Sequence, residues 1–304
     1  MRKLSHSILL FFFLLVIALS ASLALDRQPN SDYHARREAL AKKTGGVIVL
    51  FAPLENEGPN EIYGFRQEDN FFYLSGLSEP GAALLIAPAT EAKADTAARA
   101  YTEILFLPPR NLTQEKWTGP KLGPENPDAS RLTGFDRVED MRKLPDDVER
   151  LLTGARPAIY TDSASHGETS ASDAPLAFLK RVNSFLSFLD VKPMLSSLRT
   201  YKDAGEVALT RKAVDASVAA HFAAFKAVKP NRTEREISAL MQYEWGKRGC
   251  ERPAYAPIVG SGFDSTVLHY SDDSNVMKAG DVVVIDAAGE YSMYAADITR
   301  TLPI

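Results

Sequence analysis

"GDVVVIDAAGEYSMYAADITRT", residues 280–301, sets two aspartates, Asp286 and Asp297, in a run of Val, Ile and Ala. The apolar alternation reads as a β-hairpin. A strand interior seldom keeps an aspartate, because Asp has poor β propensity and is costly to bury. A tight turn at Tyr291–Ser292 pairs Asp286 directly with Asp297. Both carboxylates then share one sheet face, with Cβ atoms roughly 5 Å apart.

Two ionised carboxylates at that distance repel, and a shared proton, a basic partner or a cation must offset the repulsion. Arg300 follows Asp297 by three residues, so on a flat strand it points to the opposite face. A hard divalent metal bridged by both carboxylates fits the oxygen donors. Two ions held in this way are an arrangement used for hydrolysis. The competing reading is an exposed hairpin whose aspartates are simply hydrated. His269 is the penultimate residue of "TVLHY" (266–270), which reads as a strand just ahead of the hairpin. It is a candidate ligand or substrate-binding group. "VGSGFDS" has Gly260 and Gly262 but no third glycine and no following helix, so it is neither a dinucleotide fingerprint nor a nucleophile elbow.

Working outward, two helices precede the strands. Val207, Leu209, Ala213, Val214 and Val218 recur at helical spacing, with Asp203 as cap. Pro230 and Asn231 break the run. Thr233 with Glu236 is a capping-box signal for a second helix ending at Gly249. "AYAPIVG" (254–260), "TVLHY", "DVVVIDAAG" (281–289) and "MYAADITRTL" (293–302) then form a β meander. His221 inside the first helix reads as a packed or surface residue.

Further upstream, residues 26–46 read as a helix stopped by Lys42, Lys43 and a Gly pair. "VIVLFAP" (47–53), "FFYLSGL" (71–77), "AALLIAP" (82–88) and "TEILFLPP" (102–109) read as strands. Residues 118–134 are Pro/Gly-rich loop. Residues 161–175 read as an exposed polar loop in which His166 is solvated. The expectation is an α/β fold: a mixed α/β unit over 26–195 and a second unit over 198–304.

Composition narrows the function. A net charge of −4 leaves no basic footprint for nucleic acid. "MRKLSHSILLFFFLLVIALSASLALD" opens with Arg2 and Lys3, continues with an apolar run from Ile8 to Leu19, and ends in small residues. This is a signal-peptide pattern over 1–24, with cleavage expected after Ala24 and export as the consequence. An uncleaved anchor is the alternative, although the run is short of the ~20 residues a span needs. The single cysteine, Cys250, cannot form an internal disulfide and reads as a small buried residue. "NLT" at Asn111 and "NRT" at Asn231 match glycosylation sequons, which matter only in a glycosylating host.

Together, "YAPIVGSGFDSTVLHY", the Asp hairpin and the two helices before them resemble the first half of the pita-bread metallopeptidase domain. The block "YHARREAL…VIVLFAP…FRQEDNFFYLSGLSEPGAALLI" resembles the N-terminal domain of aminopeptidase P. The resemblance covers roughly 33–304. It implies an Xaa-Pro aminopeptidase, a hydrolase that releases the residue ahead of proline, with prolidase, a dipeptidase, as the runner-up. It implies two divalent metal ions, manganese foremost, with a bridging hydroxide as nucleophile. The family's hairpin ligands fall on Asp286 and Asp297, and its active-site histidine before a Tyr falls on His269. It further implies peptide partners with proline in second position and a homo-oligomer. Met293-Tyr294 stands where Gly-Tyr is usual, a mild departure. The family's three other ligands, a His and two Glu, find no match before Ile304. The expectation is therefore a C-terminally incomplete, inactive chain, with a non-catalytic binding or oligomerisation module as the alternative.

Overall fold

The computed structural model describes residues 25–55, 63–92, 98–152, 158–162, 177, 179–181 and 186–304. The expected signal peptide, 1–24, and the expected polar loop around His166 lie outside these residues.

The first unit is built on a six-stranded sheet. After helix α1 (Asn30–Thr44) come β1 (Val47–Phe51), helix α2 (Asp69–Ser75), β2 (Ala83–Ala87) and β3 (Thr102–Leu107). Short helices α3 (Glu115–Thr118) and α4 (Ala129–Thr133) lead to β4 (Arg137–Asp140). Helix α5 (Leu144–Leu151), β5 (Ala158–Thr161), β6 (Ser187–Asp190) and helix α6 (Lys192–Arg199) complete it. The strand order is β4-β3-β2-β1-β5-β6. β1, β2 and β3 pair antiparallel, while β4, β5 and β6 join parallel to their neighbours.

Both faces of this sheet are covered. Leu84 and Ile86 point into one core with Leu40, Phe71 and Leu195. Ala83 and Leu85 point into the other with Val148 and Leu151. Strands buried on both sides lose the alternation of a half-exposed strand, which is why the sequence reads there as continuous apolar runs. Arg37 of α1 pairs with Glu103 of β3 at 2.8 Å, both side chains fully buried.

One expected strand is a helix. "FFYLSGL" forms most of α2. The Glu68 side chain accepts from the Phe71 N–H, and Gly76 takes the left-handed conformation that ends the helix. Local caps and packing of Phe71 and Leu74 override the aromatic β propensity. The stretch 118–134, expected to be loop throughout, contains α4.

The second unit has α7 (Ala204–Ala227), α8 (Glu234–Gly246), β7 (Arg252–Pro253), β8 (Ile258–Ser261), β9 (Val282–Asp286), β10 (Gly289–Tyr291), β11 (Tyr294–Ala295) and β12 (Thr299–Pro303). Both expected capping boxes are present, Asp203 with Glu206 and Thr233 with Glu236. In place of a single meander there are two small sheets, β11-β10-β7 and β12-β9-β8. Ala220 and Ala224 of α7 and Met241 and Trp245 of α8 cover one face of β9 through Val283 and Ile285. Cys250 lies in this core, its sulfur against Gly289, and burial pushes the thiol up to about 12. His221 is buried on the same side, its Nε2 2.9 Å from the Ala287 carbonyl. Burial holds its imidazole below the ordinary value.

The hairpin is tied to the first unit. The Arg36 guanidinium reaches Asp203 at 2.5 Å. Arg66 donates to both oxygens of Glu290 on β10. Asp26 grips the turn, its N–H donating to Ser292 Oγ at 2.8 Å and its carboxylate accepting from Tyr291. Among the described residues no helix is long and apolar enough to cross a membrane.

Candidate metal centre

Strand β9 alternates between covered and uncovered positions. Val283 and Ile285 are buried, whereas Val282 is exposed and Asp286 half-buried on the other face. The hairpin turn is Ser292–Met293, not Tyr291–Ser292. Both turn residues have positive φ, 49° and 70°, the primed-turn geometry that suits the twist of paired strands. Tyr291 pairs with Tyr294 and Asp286 with Thr299. The register is thus displaced by two residues from the expected one, so Asp286 and Asp297 are not directly opposed. Asp297 lies between β11 and β12, in neither strand, so the strand expected over 293–302 is interrupted there and alternation alone does not place its side chain.

The carboxylates still converge. Tyr255, between β7 and β8, donates to Asp286 Oδ1 at 2.5 Å and lies 3.3 Å from Asp297 Oδ1. One hydroxyl therefore touches both acids. Burial, followed by the Asp286 carboxylate beside it, holds the Tyr255 phenol well above its ordinary value, so it stays protonated and donates. The residue was not foreseen from sequence. Its signal was an aromatic one residue before "APIVGSG", legible only once the strands were paired.

Asp286, Asp297 and His269 all line one open cavity of about 480 Å³, together with Tyr255, Ile258 and Ser271. His269 reaches it from an irregular loop. "TVLHY" is not a strand: a 3-10 helix spans Gly262–Thr266 and no ladder follows. Its apolar side chains Val267 and Leu268 are exposed, so they have no sheet face to bury against. Arg300 donates to the Thr299 carbonyl instead of to either aspartate.

The donor chemistry fits a hard divalent cation. Two carboxylates face one cavity, with no ion-pair partner among the described residues. A cation there would relieve their repulsion and accept their oxygens. The donor count is lower than a closed site needs: among the described residues no group of three or more His, Cys, Asp or Glu is gathered for one ion.

Comparison with known proteins agrees with both halves of this architecture. The profile described as aminopeptidase P, N-terminal domain, matches residues 33–160. That of metallopeptidase family M24 matches residues 208–304. An Xaa-Pro aminopeptidase of Haemophilus influenzae is 32% identical over 282 residues, covering 91% of this chain and 61% of the relative. The structure of Escherichia coli aminopeptidase P with the inhibitor Pro-Leu superposes with a TM-score of 0.77 at 29% identity, covering 91% of this chain and 63% of that one. Proline aminopeptidase P II from Yersinia pestis superposes with a TM-score of 0.76 at 30% identity and the same coverage. The chain thus spans less than two thirds of the length of these relatives.

Proposed function

The chain belongs to the aminopeptidase P family, with its N-terminal domain followed by part of the pita-bread domain, and from that premise we propose that it carries the aspartate side of a site for two divalent cations, manganese foremost. The activity we infer for the site is release of an N-terminal residue from peptides with proline in second position. The supporting observation is the meeting of Asp286 and Asp297 on the Tyr255 hydroxyl, in a cavity that His269 also lines.

In this reading Asp286 and Asp297 hold the ions. Tyr255 fixes the carboxylates' orientation while remaining neutral. His269, exposed on the cavity wall, meets the peptide and handles a proton there. Bound cations supply positive charge that activates water and polarises the scissile carbonyl.

Two carboxylates are fewer than the four or more donors that hold such ions tightly. Residues 25–304 alone are therefore expected to bind Mn²⁺ weakly and to turn over Xaa-Pro peptides below detection. We also propose that 1–24 is an export signal, which N-terminal sequencing of the secreted protein would test.

The test of the site is a Mn²⁺ titration followed by the paramagnetic resonance of free ion. Wild type should show weak binding that Asp286→Ala and Asp297→Ala both remove. Equal binding in all three proteins would overturn the assignment. Robust metal-dependent cleavage by residues 25–304, abolished by Asp286→Ala, would uphold the site and overturn the expectation of inactivity.

A further inference from the structure

The loop that carries His269 has little apolar anchorage near that residue. Between β8 and β9 it exposes Phe263 at 83% and Leu268 at 87%. Met277 anchors the returning end of the loop in the core behind β9, whereas the stretch around His269 is held by polar contacts, several of which meet on one side chain.

Glu234, the first residue of α8, is fully buried. Its Oε1 accepts from the Ser261 N–H at 2.6 Å and the Ser261 hydroxyl at 2.7 Å. Its Oε2 accepts from the Tyr270 hydroxyl and the Asn275 N–H, each at 2.8 Å. The Glu234 N–H in turn donates to the Asn275 carbonyl at 3.0 Å. One carboxylate thus grips the loop where it leaves β8, at its middle, and where it returns to α8.

The four donors satisfy the carboxylate without a cationic partner among the described residues. Its position at a helix N-terminus favours negative charge there. Charge-assisted bonds of this kind are roughly twice as strong as neutral ones. Tyr270 is adjacent to His269 in the chain. Holding its hydroxyl at one end leaves the neighbouring imidazole facing the cavity, since Tyr270 is directed back into the protein.

We propose that Glu234 is a positioning residue: through Tyr270, Ser261 and Asn275 it fixes His269 over the Asp286–Asp297 pair without touching substrate or metal. The inference rests on the reading of that cavity as a metallopeptidase site, but the anchorage itself can be read without metal. Asp273 supports the returning arm, accepting from the Val259 N–H at 3.0 Å, but it has no bond to the His269–Tyr270 step.

The experiment is NMR of histidine-ring-labelled protein, with His269→Gln to assign the His269 signal and His221 as internal control. The His221 ring bonds to the Ala287 carbonyl, outside the loop. Glu234→Gln keeps size and removes charge. An amide has one acceptor oxygen, so the N–H of either Ser261 or Asn275 must face its NH₂ group. In metal-free Glu234→Gln the His269 signal should shift or split while His221 stays at its wild-type position. Added Mn²⁺ should broaden His269 in wild type and lose most of that effect in the variant. A folded Glu234→Gln with His269 at its wild-type position and with wild-type broadening would overturn the proposal. Tyr270→Phe removes the bond to Glu234 together with the Ser274 contacts of the same hydroxyl, leaves the Ser261 and Asn275 bonds of Glu234, and covers the case in which Glu234→Gln fails to fold. Its His269 signal should move in the same direction by less, and an unmoved signal would equally refute the anchorage. Absence of Mn²⁺ broadening at His269 in wild type would count against the metallopeptidase reading alone, with the metal-free spectra still deciding the role of Glu234.

Discussion

The two sheets of this protein solve opposite problems. In the first unit both faces of β1, β2 and β3 are sealed, and Leu84 and Leu85 are fully buried on opposite sides. In the second unit β9 is sealed on one face only. Its other face holds Val282, Asp286 and open cavity. A sheet covered twice has no room for an ion or a peptide. The sheet covered once keeps an open wall at which Asp286 and Asp297 converge on one hydroxyl. Stability and chemistry are thus assigned to different faces, and the ties from Asp26, Arg36 and Arg66 hold the working sheet to the sealed one.

The sharpest way to break this comparison is a truncation scan of adjacent strand positions. Leu84→Ala and Leu85→Ala should each cost about 2–5 kcal/mol, because either side chain leaves a cavity in a closed core. Ile285→Ala should cost about as much, whereas Val282→Ala should stay within ~0.5 kcal/mol. Urea denaturation would measure all four, and a large loss at Val282 would mean that the second sheet is also covered twice.

A smaller effect tests the junction. Burial alone would raise the Asp203 carboxyl, but the Arg36 guanidinium and the N–H groups at the start of α7 outweigh it, so its folded value lies below the ordinary 3.8. A depressed carboxyl contributes stability that is present above its ordinary value and lost as pH falls through the folded one. Asp203→Asn keeps a good helix cap, so what it removes is the charge pairing. The variant should be less stable than wild type at pH 7 by about 1 kcal/mol, given the partial exposure of the pair. That difference should shrink as melts are run at successively lower pH below about 4. A difference constant with pH would place the contribution in packing.

The smallest expected change is Asp286→Asn. It relieves like-charge repulsion across the open face while leaving the Tyr255 hydroxyl an acceptor. Thermal stability in the absence of metal should move by no more than ~0.5 kcal/mol, in either direction. A strongly destabilised variant would show Asp286 to be structural, removing the contrast between the sheets.

Much of this layout was legible in residue order. Asp203, Thr233 and Glu236 announced their helices because capping is local. Val283, Ile285 and Asp286 announced two faces because strand alternation is local too. The fully buried runs at β1–β3 were equally plain. What escaped depends on distant partners or on backbone choices that composition does not encode. Phe71–Ser75 has strand-forming side chains, yet Glu68 and Gly76 close it into a helix. The hairpin register shifted by two because Ser292 and Met293 adopt positive φ, which few non-glycine residues do. Tyr255 became part of the site only when β7 and β8 brought it beside Asp286. His269 lines the same cavity as the aspartates but not from a strand: its loop is irregular and tied back to Glu234, far upstream.

The solitary sulfhydryl at position 250 offers an internal gauge of these two regions. It sits under Gly289 in the core behind the aspartate-bearing sheet, and no other cysteine competes with it. Alkylating reagents can reach it only when the second unit opens, whatever the first unit is doing. The rate of covalent trapping across a denaturant series would therefore count excursions of the working half alone, and comparison with global unfolding would reveal whether the halves separate before either melts.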